Sequence, residues 1–119
     1  MERQPICKTF PSGSKAWLLD GKYHRTDGPA CEYPDGTKEW YLHGKLHRTD
    51  GPAVEWADGT KEWFLDDKLH RTDGPAIECS DGSKAWFLDG KKVPWQMVYH
   101  QTITDEARLS ILIAALTTS

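Results

Sequence analysis

The heptapeptide HRTDGPA stands at residues 24–30, 47–53 and 70–76, identical in every letter and repeated every 23 residues. A histidine, an arginine and an aspartate in seven residues look like chemistry; a fixed interval points to architecture. Working outward, residues 15–37, 38–60 and 61–83 align without gaps, and each adjacent pair agrees at sixteen of 23 positions. A fourth copy opens at Lys84 as KAWFLDGK and breaks at Val93-Pro94, while Phe10 and Gly13 take the places of Tyr33 and Gly36 ahead of the first. The chain thus divides into a repeat array over 1–92, with a half-unit at 6–14, three full units and a partial unit at 84–92, and a C-terminal segment over 93–119.

Each unit reads as two strands. TKEWYL (37–42) is rich in β-formers and follows Asp35-Gly36; AVEW (53–56) follows Asp50-Gly51-Pro52 and stops at Ala57-Asp58-Gly59. Asp-Gly tolerates the positive φ of tight turns, and HGKLHRTDGP is read as a loop of about ten residues, within the usual range. Alternation along a strand puts Trp17, Trp40, Trp63 and Trp86 on one face with Leu19, Leu42, Leu65 and Leu88, expected to be core. Leu18, Tyr41, Phe64 and Phe87 fall on the other, where an exposed apolar stripe would mark a binding surface. In the second strand, Cys31/Tyr33, Val54/Trp56 and Ile77/Cys79 share a face opposite Ala30/Glu32, Ala53/Glu55 and Ala76/Glu78. Two strands per unit, about 4.8 Å apart, make a unit roughly 10 Å deep. One such hairpin buries too little to stand alone, so neighbours must stabilise each other. The expected fold is mainly β: an antiparallel β-hairpin repeat ribbon or solenoid of about four units with a C-terminal helical cap.

The pattern W-x-L-x-G-K-x-H-R-x-D-G-P-A-x-E-x-x-D-G-[ST]-K resembles MORN repeats, especially their divergent bacterial and phage relatives. Gly44, His47, Gly51 and Asp58-Gly59 match that skeleton. The Arg-Thr-Asp between His and Gly departs from it, as does the lack of a Y-x-G-x-W opening. Over residues 10–92 the resemblance implies a hairpin ribbon that serves as a protein- or lipid-interaction scaffold. HRxDGPA arrays also look like those of phage and mobile-element proteins, which implies a small inhibitor of a host defence enzyme, anti-CRISPR-like.

The heptapeptide does not read as an active site. HRD opens the catalytic loop of protein kinases, but no Asn follows at the required spacing and neither a Gly-rich loop nor DFG is present. His24, His47 and His70 would stack about 10 Å apart, too far to share one ion with Zn–N bonds of about 2.0–2.1 Å. Acid–base catalysis needs one distinctive pair in one pocket, whereas three equal copies make three equal surfaces. The cysteines sit at different repeat positions and the serines lie in turns, so no nucleophile is offered. No enzyme, metal or cofactor is therefore expected. Instead, Asp-Gly supplies a turn with positive φ, Pro fixes entry to the strand, and Ala leaves room for a Trp. Arg25, Arg48 and Arg71 reach Glu32, Glu55 and Glu78 or nearby aspartates, and each histidine is a hydrogen-bonding loop residue. Partner contact is placed on Tyr41, Phe64, Phe87, Arg48, Arg71, Glu55, Glu78, His47 and His70.

Composition narrows the partner. Net charge is −3 with a pI near 5.9, and lysine and arginine are spread through every unit, so neither direct nucleic-acid binding nor a dedicated acidic DNA mimic is expected. No run of eighteen apolar residues predicts a membrane span. MERQPICKTFPSGS has no apolar core and carries Pro5 and Pro11, which predicts a cytoplasmic location. Cys7, Cys31 and Cys79 are odd in number and lack metal-ligand spacing; free buried thiols are expected. After the array, Pro94 suits a first helical position and Pro94-Trp95 is expected to anchor a helix on the last Trp. Thr104 caps a second helix, whose Leu109, Leu112, Ile113 and Leu116 form a stripe suited to capping the sheet edge or to homodimerisation. The expected function is non-enzymatic binding of a protein partner, a host defence enzyme or toxin, the latter making the chain an antitoxin or immunity protein. The alternative is small-ligand binding: DGTKEWYLHGK resembles the hairpins of choline-binding repeats, whose aromatic cages hold a quaternary ammonium.

Overall fold

The computed structural model describes residues 3–99. The described residues are mainly β, with many antiparallel hairpins and one short helix. In chain order the strands are β1 (Ile6–Thr9), β2 (Lys15–Leu19), β3 (Lys22–Tyr23), β4 (Cys31–Glu32), β5 (Lys38–Glu39), β6 (Tyr41–Leu42), β7 (Lys45–Leu46) and β8 (Val54–Glu55). There follow β9 (Lys61–Glu62), β10 (Phe64–Leu65), β11 (Lys68–Leu69), β12 (Ile77–Glu78), β13 (Lys84–Ala85), β14 (Phe87–Leu88) and β15 (Lys91–Lys92), then helix α1 (Trp95–Tyr99). A nine-stranded sheet runs β1-β2-β4-β5-β8-β9-β12-β13, with β3 paired to β2; β6-β7, β10-β11 and β14-β15 are separate two-stranded hairpins.

The register of the long sheet sets lysine opposite glutamate. Directly paired residues run Lys15, Glu32, Lys38, Glu55, Lys61, Glu78, Lys84 across seven strands. Every cross-strand neighbour in that row is of opposite sign, and a slip by one residue would set lysines against the adjacent row. The adjacent row, Ala16, Cys31, Glu39, Val54, Glu62, Ile77, Ala85, contains several of the buried positions. Ala30, Ala53 and Ala76 lose all solvent contact, with Ala16, Cys31 and Val54 close behind. The four repeat-position tryptophans, expected as core, are only half-buried. The interior of the array is made of small residues, alanine above all, with Cys31 and Val54.

The longer strand breaks at tryptophan. In the second and third units, and again in the fourth, the expected single strand is broken at Trp40, Trp63 and Trp86. The residues before the Trp join the long sheet; the two after it turn back in a hairpin of their own. The supposed ten-residue loop is therefore a correction: it contains a tight turn and a strand, Lys45–Leu46 in the second unit. Both central residues of that turn have positive φ, His43 at 50° and Gly44 at 82°, the type I′ geometry whose twist matches a hairpin. Asp20-Gly21, Asp66-Asp67 and Asp89-Gly90 do the same.

A second turn closes the other edge. Tyr33 N–H donates to Thr37 O, Gly36 N–H to Tyr33 O, and Gly36 has φ 97°. The pattern recurs over 10–14, 56–60 and 79–83, a type I turn followed by a left-handed glycine. Asp35, Asp58 and Asp81 accept from the N–H two residues on, at 2.9 Å each. That bond holds each carboxyl below the usual carboxylate range. The Asp-Gly expectation holds at these turns. It fails inside HRTDGPA, where Gly28, Gly51 and Gly74 have no positive φ.

Past the array, α1 starts one residue after Pro94. Val93, Met97 and Val98 are buried and pack against Trp86 and Leu88. These side chains do the anchoring expected of Trp95, which is 47% exposed. Among the described residues, no helix is long and apolar enough to cross a membrane. The expected helix after Thr104 lies outside the described residues. Cys7 is exposed, against the expectation of burial; Cys31 is buried and Cys79 half-buried, and all three are free.

Candidate functional site: grooves between the heptapeptides

Each arginine of HRTDGPA is fixed by its own unit. Arg48 Nε donates to Asp50 at 3.0 Å, and Nη1 donates to Pro52 O at 3.0 Å and to Glu55 at 2.9 Å. Arg25 and Arg71 repeat the three bonds with Asp27, Pro29 and Glu32, and with Asp73, Pro75 and Glu78. Their guanidinium carbons lie 3.7, 3.9 and 3.8 Å from the ring centres of Trp17, Trp40 and Trp63, within cation–π range. On the far side lies glycine. A Cβ on Gly28, Gly51 or Gly74 would stand 2.9, 2.8 or 2.7 Å from the arginine Cζ. Glycine leaves clearance for the arginine head here, which replaces the expected role of turn conformation.

Histidine ties each unit to the next. His24 Nδ1 accepts from His43 N–H at 2.9 Å, His47 Nδ1 from Asp66 N–H at 3.2 Å, and His70 Nδ1 from Asp89 N–H at 2.9 Å. Every acceptor faces the type I′ turn nineteen residues ahead. The expectation of a hydrogen-bonding loop residue is met, with the partner in the neighbouring hairpin. His24 is buried and its ring centre is 4.3 Å from that of His43. Burial first, and His43 second, lower its pKa below the ordinary 6.5. Arg25, Arg48 and Arg71 N–H groups donate to Tyr41, Phe64 and Phe87 O in the same following hairpins, at 3.2, 3.2 and 3.3 Å. On the opposite edge Thr37 Oγ1 accepts from Ala57 N–H and Thr60 Oγ1 from Ser80 N–H, each at 3.1 Å.

Successive heptapeptides held this way enclose grooves. The first, about 450 Å³, is lined by Arg25, Thr26, Asp27 and Gly28 on one side and His47, Arg48, Thr49 and Asp50 on the other, with Trp40 and Leu42 between. Adding 23 to each of these ten numbers gives the lining of the second, about 500 Å³. Arg48, Thr49 and Asp50 line both grooves and form the ridge dividing them.

Of the residues expected to meet a partner, His47, Arg48, His70 and Arg71 line the grooves. Glu55 and Glu78 sit behind them as acceptors for arginine. Tyr41, Phe64 and Phe87 are half-buried in the small hairpins and line neither groove. Tyr41 packs against Tyr23 with ring centres 5.2 Å apart and planes tilted by 49°, and burial, then Glu39, pushes its phenol up to about 12. Sequence reasoning missed Trp40, Trp63, Leu42 and Leu65, which it assigned to the core, and Thr26, Thr49 and Thr72. The signal available was position: each threonine follows an arginine pinned over a ring. Nor did it single out Phe10, Tyr33 and Trp56, which stand 38, 39 and 45% exposed at equivalent places in successive turns. Among the described residues, no three of His, Cys, Asp and Glu gather in a way that could hold a metal ion. No protein-family model, curated protein or solved structure matches this chain.

Proposed function

We propose that this chain is a non-enzymatic binding protein, a MORN-like hairpin array that offers its row of grooves to a protein partner. The observation that carries the reading is the ten-for-ten equivalence of the two grooves. Surfaces repeated at a fixed interval suit an extended partner; a single reactive centre has no use for copies. The groove walls are rigid before any partner arrives, since each arginine is held by three hydrogen bonds and a ring. Pre-organised walls spare the ordering cost of binding. With its likeness to phage and mobile-element arrays, the chain acts in this reading as an inhibitor of a host defence enzyme or as the antitoxin of a toxin. The choline-type alternative is less well supported, because arginine already occupies the cation position over Trp17, Trp40 and Trp63.

The test is a pull-down from host lysate with the wild-type chain and with Thr49→Arg. Thr49 is exposed on the shared ridge, so the variant obstructs both grooves without entering the interior. The wild type should recover one protein in stoichiometric amount, and Thr49→Arg should lose it while keeping its Tm. No stoichiometric partner, or a partner retained by the variant, overturns the reading.

A further inference from the structure

We infer that the two grooves together bind a polyproline II segment, with apolar residues three apart seated one in each groove. The inference rests on the protein-partner reading and specifies the partner's backbone. Neighbouring units are offset by two strands of the long sheet, a pitch of about 9.6 Å. A segment that fills both grooves must present equivalent side chains at that spacing on one face.

Three regular backbones can be compared. A β-strand repeats its face every second residue, about 6.7 Å, which is too short, and every fourth, about 13 Å, which is too long. An α-helix returns after seven residues, about 10.5 Å, close to the pitch. Between those two residues, however, the helix sets its third and fourth residues on the same face. They would fall on the ridge of Arg48, Thr49 and Asp50, which is polar and raised between the grooves. A helix needs a continuous apolar trough. Polyproline II has three residues per turn and a rise near 3.1 Å, so its face repeats every 9.3 Å or so with nothing on that face between. Only this backbone both matches the pitch and steps over the ridge.

The chemistry of the walls agrees. Arg48 and Arg71 cover one face of Trp40 and Trp63, and the rest of each indole lines a groove with Leu42 or Leu65, an aromatic and an aliphatic surface for a pyrrolidine ring. Polyproline II leaves its carbonyls without internal partners. The bonds that fix Arg25, Arg48 and Arg71 use Nε and Nη1, which leaves the Nη2 donors for those carbonyls. The threonine hydroxyls at 26, 49 and 72 are exposed beside them. Arginine and aspartate within each wall are already paired with each other, at 2.8–3.0 Å, so a neutral segment fits better than an ionic one.

The experiment titrates the full-length isotopically labelled chain with a decaproline peptide, a Gly/Ser peptide of equal length, and a helical peptide with leucines seven apart. Decaproline should shift the Trp40 and Trp63 indole signals saturably. The Gly/Ser peptide should bind at least tenfold more weakly, and Thr49→Arg should weaken decaproline at least tenfold at unchanged Tm. Absence of a saturable shift with decaproline overturns the inference, as does a response indifferent to Thr49→Arg. Saturation by the helical peptide alone overturns it while leaving the protein-partner reading standing. A lysate partner that depends on Thr49 but is not displaced by decaproline separates the two in the same way.

Discussion

Arg48 is held from four directions: by Asp50, by Pro52 O, by Glu55, and by the face of Trp40. Gly51 lies against its Cζ. The ion pairs are partly exposed and contribute little each. The ring contact and the bond to the carbonyl together are worth roughly 2 kcal/mol. Gly51→Ala brings a methyl group to 2.8 Å from the guanidinium carbon, so the arginine head must shift and its contacts with all four partners weaken together. Gly51→Ala should therefore lower stability by up to about 2 kcal/mol and Arg48→Ala by about 2 kcal/mol, and the double variant by scarcely more than Arg48→Ala alone. Urea denaturation of the three proteins checks this; additive losses would mean that the glycine has a separate role. This pair also shows why letters alone misled. Asp-Gly occurs twice per unit, and at Asp58-Gly59 the reason for glycine is φ, 95° at Gly59. At Asp50-Gly51 the reason is space, and space depends on where an arginine three residues earlier places its head.

At the level of the element, each small hairpin is latched by the histidine of the unit before it. The lone pair on Nδ1 does the accepting, so the latch needs an unprotonated ring at that atom. For His24 the folded pKa lies below the ordinary 6.5, so the unfolded chain binds a proton more readily than the folded one. Its contribution is complete above about 6.5 and is lost as the pH falls through the folded value. The wild-type Tm should drop between pH 7.5 and pH 5.5, a window well above that of the depressed turn aspartates. His24→Asn keeps an acceptor near the Nδ1 position and cannot titrate, so its Tm should fall less; parallel curves for the two proteins would rule the latch out as the cause. The latch was half legible. Histidine as a bonded loop residue followed from its place in a connection. Its partner did not, because the receiving turn is written His43-Gly44, Asp66-Asp67 or Asp89-Gly90, and a two-residue strand such as Lys45–Leu46 is too short to show alternation. The break of the longer strand at Trp40 was hidden for a related reason: β-forming residues continue across it, and only the pairing partners change.

For the whole molecule, the legible part was the interval. Because residues 15–37, 38–60 and 61–83 begin with Lys and end with Thr or Ser, removing 38–60 rejoins Thr37 to Lys61 with the same letters at the seam. Lys61 can then pair with Glu32 as Lys38 does, and His24 can latch the turn at Asp66-Asp67. The deletion variant should fold with a β-type circular dichroism spectrum and a lower Tm, since one set of neighbour contacts is gone. A chain that loses its folded spectrum would show that the units are not interchangeable.

Val93 N–H donates to Trp86 O at 3.0 Å, as His70 N–H does to Trp63 O, so Val93 stands where a fourth histidine would. Valine offers no lone pair, and Pro94, in place of arginine, brings no guanidinium. In the language of polymerisation, the histidine latch is a propagating group, and at Val93 it is replaced by a side chain that cannot accept a hydrogen bond: the step by which each earlier histidine engages the following turn has no counterpart at that position.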